Sequence, residues 1–528
     1  MEHRGVLPLF LRGESRMKRR YVAAFLAAAT MATTVGTSLT GASAARVSAV
    51  DRTNPFQAKE DKFCVKTGNT AKTALKSNPG MGYTDKEIKV GHMRSDLDAL
   101  IPLGTYVDHG NMLETAKVYA KLINDCGGIR GRNINVVDMV YSPLVPSQRD
   151  GIAQRLWDDH KPAAAFTTSG WTGPGVRFLV QDVKVPYVTG EGGTLQLART
   201  GNYFSAASYP AEVGVNALMD SLVNMKALKA TDVVAVVAPD TDGIAAGIKN
   251  LITSRLRKAG VKPQNIVFSQ INCVGLRSCT GRPEAAAAMK AAGVDATNGV
   301  YIPIAVGSTE ILPMAEAMAS AGVDVRISYS TGIANAAGDT QANTMCGKGL
   351  TSAGCKLFLK TKYLDWTYAG PHRSLAKLDK FSQMCVDEYN KGYGNANNMA
   401  TTLAANPIRV GMITTVCTYM RIIAAGIWKA GDNPKRSDIA KGIRTLGDVD
   451  FRLGLKATNR PGKTWFPKDM FWQSGVSPCP PTNGVTDLVG PPGKQVPASA
   501  CLFVDKAMNK LKGATVSIDY QLKDLQKG

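Results

Sequence analysis

Short apolar runs alternate with longer amphipathic stretches along most of the chain. The first run, at 88–92, predicts a buried strand, and the spacing of apolar residues over 112–123 predicts one face of a helix. The segment INDCGGIRGR ends that helix, because Gly127 or Gly128 can adopt the left-handed conformation that terminates helices. Another apolar run follows at 134–140. This succession predicts a strand–helix–strand unit with parallel strands.

The same alternation continues and predicts an α/β fold, because alternating strands and helices form parallel sheets covered by helices on both faces. A break near 204–210 favours two lobes over one barrel, which usually needs eight regular repeats. Leu357-Phe358-Leu359 predicts one more short strand. The other predicted strands lie at 163–168, 186–190, 232–238, 266–271, 299–303 and 325–330, and the other predicted helices at 210–229, 242–258, 283–292, 309–321, 374–389, 408–430 and 437–446.

The N-terminal region has the pattern of an export signal. A basic cluster at 18–20 precedes a mainly apolar stretch at 21–36, and Ala42-Ser43-Ala44 offers a cleavage site. A retained membrane anchor is the alternative, and translation starts at either Met1 or Met17. Cys64, the first cysteine, lies well beyond this segment, so no lipid-anchor cysteine is predicted.

The chain is basic throughout, without a dense basic patch in its mature part. The 528 residues carry a formal net charge of +21, and residues 45–528 keep 57 basic and 40 acidic residues, or +17. Because these charges are scattered, no nucleic-acid partner is predicted. The composition, 44% hydrophobic and 20% charged, is typical of a soluble globular protein, which would be peripheral to a membrane at most.

Ten cysteines follow the export signal, and this even number predicts disulfides. Zinc binding is the alternative, but the sequence has no C-x-x-C pair, and only four histidines follow residue 44. We therefore predict no metal site. Sequence proximity pairs Cys273 with Cys279, Cys346 with Cys355 and Cys479 with Cys501, and elimination leaves Cys64 with Cys126 and Cys385 with Cys417.

The sequence contains no G-x-S-x-G, H-E-x-x-H, P-loop or complete G-x-G-x-x-G motif. Its few histidines show no recognisable pairing with a cysteine or serine, which gives nucleophilic catalysis little support. We therefore expect no enzyme activity, no catalytic residues and no cofactor.

Several segments together resemble one family. Ile88-Lys89-Val90-Gly91, the 123–132 turn, Val185-Pro186-Tyr187-Val188, and Tyr393-Gly394 before a long helix ending in Ala430-Gly431 resemble the type I periplasmic binding proteins. The branch most similar is the branched-chain amino acid binding proteins of ABC importers, over 87–471. The resemblance implies two doubly wound parallel-sheet lobes, joined by a three-crossover hinge, with a ligand cleft between them.

Carried onto this chain, the resemblance divides it into five parts. These are a signal peptide (1–44), a polar linker (45–84), lobe one (85–208 plus 363–452), lobe two (209–362), and a C-terminal crossover with a cysteine-closed extension (453–528).

The resemblance also implies which loops line the cleft. The loop with Ser169, Gly170, Trp171 and Thr172 matches a position where the family holds a ligand carboxylate, although N-capping and loop packing are alternatives. Gly193 and Thr194 match a position that meets the ligand amine. In lobe two the matching residues are Asp242, where the family commonly has an aromatic residue, and Thr331, where amino acid binders tend to carry an acid. Either Asp242 or Glu191 would supply the negative charge that is missing at Thr331. The alternative is that both are solvated loop carboxylates.

The expected function is therefore that of an extracytoplasmic solute-binding protein. It would capture a small polar or amphipathic ligand, amino acid-like or related, by hinge closure and deliver it to an ABC permease. The alternative is a secreted or envelope interaction or sensor protein that keeps the fold without transport. Either would be exported, to the cell envelope or the extracellular space.

Overall fold

A computed structural model of the chain describes residues 49–67, 74–103, 109–169, 174–240, 243–273, 279–304, 308–331, 338–366, 377–403, 406–481, 488–489, 494 and 496–527. Its first sheet has five parallel strands in the order β2-β1-β3-β4-β5. The strands are β1 (Glu87–Ser95), β2 (Asn133–Tyr141), β3 (Ala164–Ser169), β4 (Tyr187–Thr189) and β5 (Tyr203–Ser205).

The second sheet has a parallel centre and antiparallel edges. Its order is β17-β14-β11-β10-β9-β6-β7-β8, with β18 paired to β14, and the strands from β11 to β7 run parallel. The strands are β6 (Val233–Pro239), β7 (Ile266–Cys273), β8 (Cys279–Thr280), β9 (Gly299–Pro303), β10 (Ile327–Thr331), β11 (Thr361–Asp365), β14 (Asp469–Val476), β17 (Cys501–Val504) and β18 (Val516–Ser517). Two small hairpins are formed by β12 (Gly447–Val449) with β13 (Ala457–Asn459) and by β15 (Leu488–Val489) with β16 (Val496–Pro497).

Helices cover both faces of each sheet. In the first lobe, α1, α11, α12 and α13 form one layer, and α2 and α3 form the other. In the second lobe, α5 and α6 lie on one face and α7 to α10 on the opposite face. The helices are α1 (Met112–Asp125), α2 (Pro146–His160), α3 (Pro174–Arg177), α4 (Leu195–Arg199), α5 (Ala211–Asn224), α6 (Ile244–Lys258), α7 (Arg282–Ala291), α8 (Ser308–Ser320), α9 (Gly338–Cys346), α10 (Ala353–Lys360), α11 (Lys380–Tyr389), α12 (Pro407–Lys429), α13 (Arg436–Arg444) and α14 (Lys506–Asn509).

The turn between α1 and β2 forms as the sequence predicts. Gly127 and Gly128 have φ angles of +95° and +68°. A Cβ atom at Gly128 would lie 2.3 Å from the carbonyl oxygen of Arg132, so glycine is required both for the left-handed backbone and for the close approach. The chain therefore reverses within a few residues and adds β2 beside β1.

The chain passes between the two sheets three times. It leaves the first sheet after β5, returns after β11, and leaves again between β13 and β14. The third connection runs along β5, where Ser205 N donates to Thr464 O (2.9 Å) and Phe466 N donates to Ser205 O (3.0 Å). The two doubly wound lobes and three crossovers implied by the resemblance are confirmed.

The C-terminal segment 514–527, which we call the C-terminal clasp, packs over the third connection and the second lobe. Trp465 Nε1 donates to Ile518 O (2.8 Å) in the clasp, and Leu522 N donates to Gly462 O (2.8 Å). On the second lobe, Ser221 Oγ of α5 donates to Ala514 O (2.5 Å). The clasp therefore holds the third connection against α5.

One described helix segment, Arg409–Lys429 within α12, is long and apolar enough to cross a membrane. Its most apolar window is 94% buried inside the protein. It packs against α1, α11 and α13 over the first sheet. The apolar character of α12 is therefore explained by its place in the core of the first lobe.

All ten cysteines form disulfides, with the five pairings that the sequence predicts: Cys64–Cys126, Cys273–Cys279, Cys346–Cys355, Cys385–Cys417 and Cys479–Cys501. No cysteine is left free to act as a zinc ligand. The Cys479–Cys501 disulfide closes the proline- and glycine-rich loop of the C-terminal extension, as expected.

Two sequence predictions differ from the structure. Leu357-Phe358-Leu359 lies in helix α10 rather than in a strand, because Leu357 and Phe358 pack into the core of the second lobe from one helix face. The strand of this region is β11, and it crosses the predicted lobe boundary at 362/363.

The described part of the segment 45–84, expected to be a linker, packs against the first lobe. It buries Phe56, Phe63, Leu75 and Tyr83 in the main core. The aromatic side chains provide the apolar area that holds it there.

Candidate functional site

Several of the parallel strands in both lobes end in polar residues. Ligands of open α/β sheets bind beyond the carboxyl ends of the strands, so these ends define the candidate site. They are Ser95, Ser169, Thr189 and Ser205 in the first sheet, and Thr331 and Asp365 in the second.

Tyr209, in the first connection, brings the two sets of strand ends together. Its Oη donates to Asp365 Oδ1 (3.0 Å). A Cβ atom at Gly192 would lie 2.0 Å from Tyr209 O, so only glycine allows the β4–α4 loop to approach so closely. A Cβ atom at Gly214 would lie 2.7 Å from Tyr209 Cε2 and 3.2 Å from Thr331 Oγ1. Tyr209 therefore links the β4–α4 loop with the ends of β10 and β11.

Glu191 is a half-buried carboxyl group in this β4–α4 loop. Burial raises its pKa to about 7, and among the described residues no hydrogen bond or neighbouring charge lowers it. Its backbone is fixed by hydrogen bonds from Tyr203 Oη to Glu191 O (3.1 Å) and from Glu191 N to Thr189 Oγ1 (3.0 Å). A partly buried carboxyl group without a partner among the described residues marks a candidate functional position.

Two tyrosines lie near this carboxyl group. Burial raises the pKa of Tyr187 and Tyr419, and the charge of Glu191 raises both further. Tyr419, from α12, reaches under the loop, because a Cβ atom at Gly190 would lie 2.8 Å from its Oη. Tyr187 and Tyr419 therefore contribute aromatic surface in the neighbourhood of Glu191.

Gly193 and Thr194, predicted to meet the ligand, both have roles in the loop itself. Thr194 is 5% exposed, and its hydroxyl accepts a hydrogen bond from Leu197 N (3.4 Å) as the N-cap of α4. Gly193 has a φ of +62°, and its carbonyl accepts a hydrogen bond from Ala211 N (3.1 Å). These contacts fix the loop in place below Tyr209.

The other predicted site residues are only partly described. Ser169 is the last residue of β3, whereas Gly170, Trp171, Thr172 and Asp242 lie outside the described residues. Thr331 ends β10 and is 4% exposed beside Gly214. The structure thus places Gly193 beside Tyr203 and Thr331 beside Gly214, and the contact of Gly193, Thr194 and Thr331 with a ligand stays a prediction.

A chain of polar contacts underlies the end of β3. Arg94 makes a two-point ion pair with Asp138, with Nε and Nη2 at 3.0–3.1 Å from the carboxylate. Asp138 Oδ1 lies 2.9 Å from His92 Nδ1, and His92 Nε2 lies 3.1 Å from Thr168 Oγ1. The His92 ring stacks on Phe166 at 4.5 Å. Arg94 therefore pairs with Asp138 on β2 and not with the nearby Asp96.

Protonation states in this chain follow from the surroundings. Burial lowers the pKa of His92, so the ring is neutral near pH 7. Burial alone would raise the pKa of Asp138, but hydrogen bonds from His92 and Arg94 hold it below its usual value. The Asp138 carboxylate therefore stays ionised and accepts the hydrogen bonds that Arg94 donates.

Comparison with solved structures finds many similar chains, of which three follow. A fatty acid ABC transporter substrate-binding protein from Thermomonospora curvata has a TM-score of 0.54 at 15% identity, over 85% of this chain and 97% of that one. A possible leucine/isoleucine/valine-binding protein from Rhodopirellula baltica has a TM-score of 0.51 at 13% identity, over 76% and 96%. A periplasmic binding protein type 1 from Bordetella pertussis has a TM-score of 0.50 at 15% identity, over 78% and 100%.

These matches span nearly the whole of each solved chain and repeat the two-lobe arrangement described above. The chain has the type I periplasmic binding protein fold. No family model matches the sequence, and no curated protein matches it. At identities of 13–15% the likeness establishes the fold alone.

Within this type I fold, sequence reasoning missed Tyr209 and Asp365. Both lie where the chain leaves one lobe for the other, and their contact joins residues 156 positions apart. The break in the alternation of strands and helices at 204–210 indicated the position of the first connection. It did not indicate which residue Tyr209 would contact. His92 and Asp138 were missed for the same reason, since they face each other only through the β1–β2 register.

Proposed function

We propose that this protein is an exported solute-binding protein that captures a small polar or amphipathic ligand between its two lobes. A ligand that touches both lobes stabilises the closed arrangement through its extra contacts there. An ABC permease would then recognise the closed form and receive the ligand. The role is binding and delivery, without a chemical step.

One observation carries this proposal. Three connections join two sheets, and Tyr209, in the first of these connections, contacts both the β4–α4 loop of the first lobe and Asp365 at the end of β11. A ligand at this point would contact residues of both lobes and would therefore favour one orientation of the two lobes. One similar solved chain is described as a fatty acid ABC transporter substrate-binding protein and another as a possible leucine/isoleucine/valine-binding protein. The fold alone therefore does not identify the ligand.

The disulfides support an extracytoplasmic location. Five disulfides within one chain are typical of proteins that fold in an oxidising compartment. The signal-like pattern of residues 1–44 is consistent with such a location. Both observations fit delivery to a membrane permease from outside the cytoplasm.

The proposal predicts that the secreted protein carries or binds a small molecule and contracts when it does. Native mass spectrometry should detect a noncovalent adduct that is lost on denaturation and should give its mass. Small-angle scattering should show a smaller radius of gyration with that ligand than without it. If no adduct is found, and no member of a broad metabolite panel binds, the protein is instead an interaction or sensor protein that keeps the fold without transport.

A substitution at the predicted second-lobe contact gives an independent check. Thr331→Val should weaken ligand binding about fivefold, because it removes one hydroxyl hydrogen bond worth on the order of 1 kcal/mol. The melting temperature should stay unchanged. Binding is measured by isothermal titration calorimetry on the ligand that mass spectrometry identifies.

Thr361→Val is the matched control. Thr361 begins β11, so it lies at the amino end of the strand beside β10, and its hydroxyl donates to Leu357 O (2.7 Å) within the second lobe. This variant should lose about 1 kcal/mol of stability and keep full affinity. Equal affinities of the two variants for the ligand would show that Thr331 does not contact it.

A further inference from the structure

We propose that one end of the second lobe is a docking surface for an anionic lipid bilayer. This basic face is formed by the end of α5, the end of α6 and the turn 510–513 that leads into the C-terminal clasp. The inference goes beyond the proposed solute-binding function and does not depend on it. The cations of the basic face are Lys226, Lys229, Arg255, Arg257, Lys258, Lys262, Lys510 and Lys512.

The fold gathers charges that the sequence scatters. The segments 224–230, 255–262 and 510–517 together contain eight basic residues and no aspartate or glutamate. The first two segments lie where α5 leads into β6 and where α6 leads into β7. Because β6 and β7 pair in parallel, both segments lie at the same edge of the sheet. A chain without a dense basic cluster in its mature sequence therefore has a dense basic face.

Contacts with α5 bring the third segment to the same place. A Cβ atom at Gly513 would lie 2.4 Å from Asn224 Cβ, so the turn 510–513 packs directly against the end of α5. Ser221 Oγ, one helical turn earlier, donates to Ala514 O (2.5 Å). The two lysines of this turn therefore add their charges beside those that follow α5.

Most of these cations have no acidic partner in the protein. Arg255 pairs with Asp220 (2.7 Å), whereas the other seven form no ion pair with any described residue. Like charges held close together repel one another, and a surface of one sign attracts ligands of the opposite sign. The basic face is therefore complementary to an anionic surface outside the protein.

Two exposed aliphatic side chains flank the contact between Asn224 and Gly513. Val223 is 43% exposed and Leu511 is 53% exposed. Apolar side chains within a basic surface suit a membrane interface, where the apolar groups enter the acyl boundary and the cations meet anionic headgroups. A soluble polyanion would engage the cations alone. The combination therefore favours a bilayer as the partner.

A cavity of about 490 Å³ opens between α5, α6 and the C-terminal clasp. Its lining includes Arg255, Lys258, Thr515 and Ser517, whose guanidinium, ammonium and hydroxyl groups donate hydrogen bonds to phosphate. Asp220 also lines the cavity, where its charge is offset by its ion pair with Arg255. The cavity would therefore receive the phosphate of a lipid headgroup.

The basic face and the candidate ligand site lie at opposite ends of the second sheet. The basic face lies at the amino ends of β6 and β7, whereas the candidate site lies beyond the carboxyl ends of the strands. Bilayer binding should therefore leave solute binding unchanged. A protein held in this way would stay at the membrane surface, where a permease would receive its ligand.

Vesicle flotation tests the docking surface with the secreted protein. The protein should float with phosphatidylcholine vesicles that contain about 30% phosphatidylglycerol and should stay behind with phosphatidylcholine alone. Raising the ionic strength from about 0.1 M to 1 M should weaken the binding at least tenfold, because the Debye length falls from about 10 Å to 3 Å.

Charge reversal locates the contact. Lys510→Glu combined with Lys512→Glu should weaken binding to the anionic vesicles by at least about thirtyfold, the effect of two basic residues near an anionic surface. Lys62→Glu combined with Lys66→Glu is the control, with the same change of net charge at exposed residues beside the first lobe. The control should bind like the unaltered protein, and neither pair should change the melting temperature.

A second pair of variants separates a bilayer from a soluble polyanion. Leu511→Ser should weaken vesicle binding about fivefold, because it removes part of the inserted apolar area, and should leave binding to heparin unchanged. Leu350→Ser is the matched control, since Leu350 is 54% exposed and follows α9 on the opposite face of the second lobe. This control should bind vesicles and heparin like the unaltered protein.

Each other outcome contradicts the inference in a defined way. Vesicle binding that needs no phosphatidylglycerol, or that survives reversal of Lys510 and Lys512, would rule out the basic face as the contact. Equal vesicle binding by Leu511→Ser and Leu350→Ser, or binding to heparin or duplex DNA without binding to vesicles, would assign the face to a soluble polyanion instead. Calorimetry with the solute is a separate readout, so a protein that floats but binds no solute would overturn only the proposed function.

Discussion

Replacing Asp519 with asparagine is expected to lower the free energy of unfolding by about 3–5 kcal/mol, because it leaves a buried ammonium group without its counter-ion. That group belongs to Lys463, which is fully buried in the third connection, with Nζ 3.0 Å from Asp519 Oδ1. The same Nζ donates to the carbonyl oxygens of Thr458 (3.3 Å) and Pro467 (2.8 Å). Urea unfolding followed by circular dichroism measures the loss.

The effect should also be visible as a pH dependence. Burial lowers the pKa of Lys463 from 10.5 to about 8, against the opposing effect of Asp519, whereas Arg460 and Lys468 lower it further. Between these two values the unfolded chain binds more protons than the folded one, so stability rises with pH. This group alone should add on the order of 3 kcal/mol from pH 8 to 10.5.

Two variants isolate this contribution. Lys463→Met removes the titrating group, so the rise in stability that this group causes between pH 8 and 10.5 should be absent from the variant. Asp524→Asn, at an exposed carboxylate of the same clasp, should change stability by less than about 0.5 kcal/mol. An Asp519→Asn protein as stable as its parent would mean that the clasp contributes no ion pair to the fold.

Arg421→Met should destabilise the protein by a similar amount, about 3–5 kcal/mol, and should release the N-terminal arm, residues 49–67. Arg421 is 3% exposed on α12, and its guanidinium donates to the carbonyl oxygens of Phe56 and Lys59 in the arm and to Asp450 Oδ2 (3.0 Å). Burial lowers its pKa to about 10, so it is charged at pH 7. Unfolding in urea measures stability, and limited proteolysis reports release of the arm.

Arg52→Met is the matched control for this prediction. Arg52 pairs with the same Asp450 (2.8 Å), but its side chain is 41% exposed. Exposed ion pairs contribute about 0–1 kcal/mol, so this variant should lose little stability and should keep the arm resistant to protease. Equal losses in the two variants would assign the effect to Asp450 rather than to the buried contacts of Arg421.

Much of the fold follows from local sequence. The predicted strand at 299–303 coincides with β9, and the helix at 408–430 with α12, because each is an apolar run with clear turn residues at its ends. Leu357-Phe358-Leu359 was assigned wrongly, because three adjacent apolar residues fit a strand and a buried helix turn equally well. Ser352, which caps α10, is the local signal that separates the two.

The candidate site depends on contacts that no local pattern encodes. Glu191 belongs to a solvated loop by its sequence, whereas tertiary packing leaves it half-buried. His92 and Asp138 face each other only through the β1–β2 register. The sequence therefore predicts the loops of a candidate site, whereas the contacts between their residues depend on the tertiary structure.

The disulfide pattern makes the proposed motion directly measurable. Cys64–Cys126 and Cys385–Cys417 join elements around the first sheet, and the other three pairs lie within the second lobe. Because every native thiol is consumed inside a lobe, one cysteine introduced on the surface of each lobe would be the sole target of a thiol-reactive spin label. The distance between two such labels would report the opening angle in solution without any background from the native cysteines.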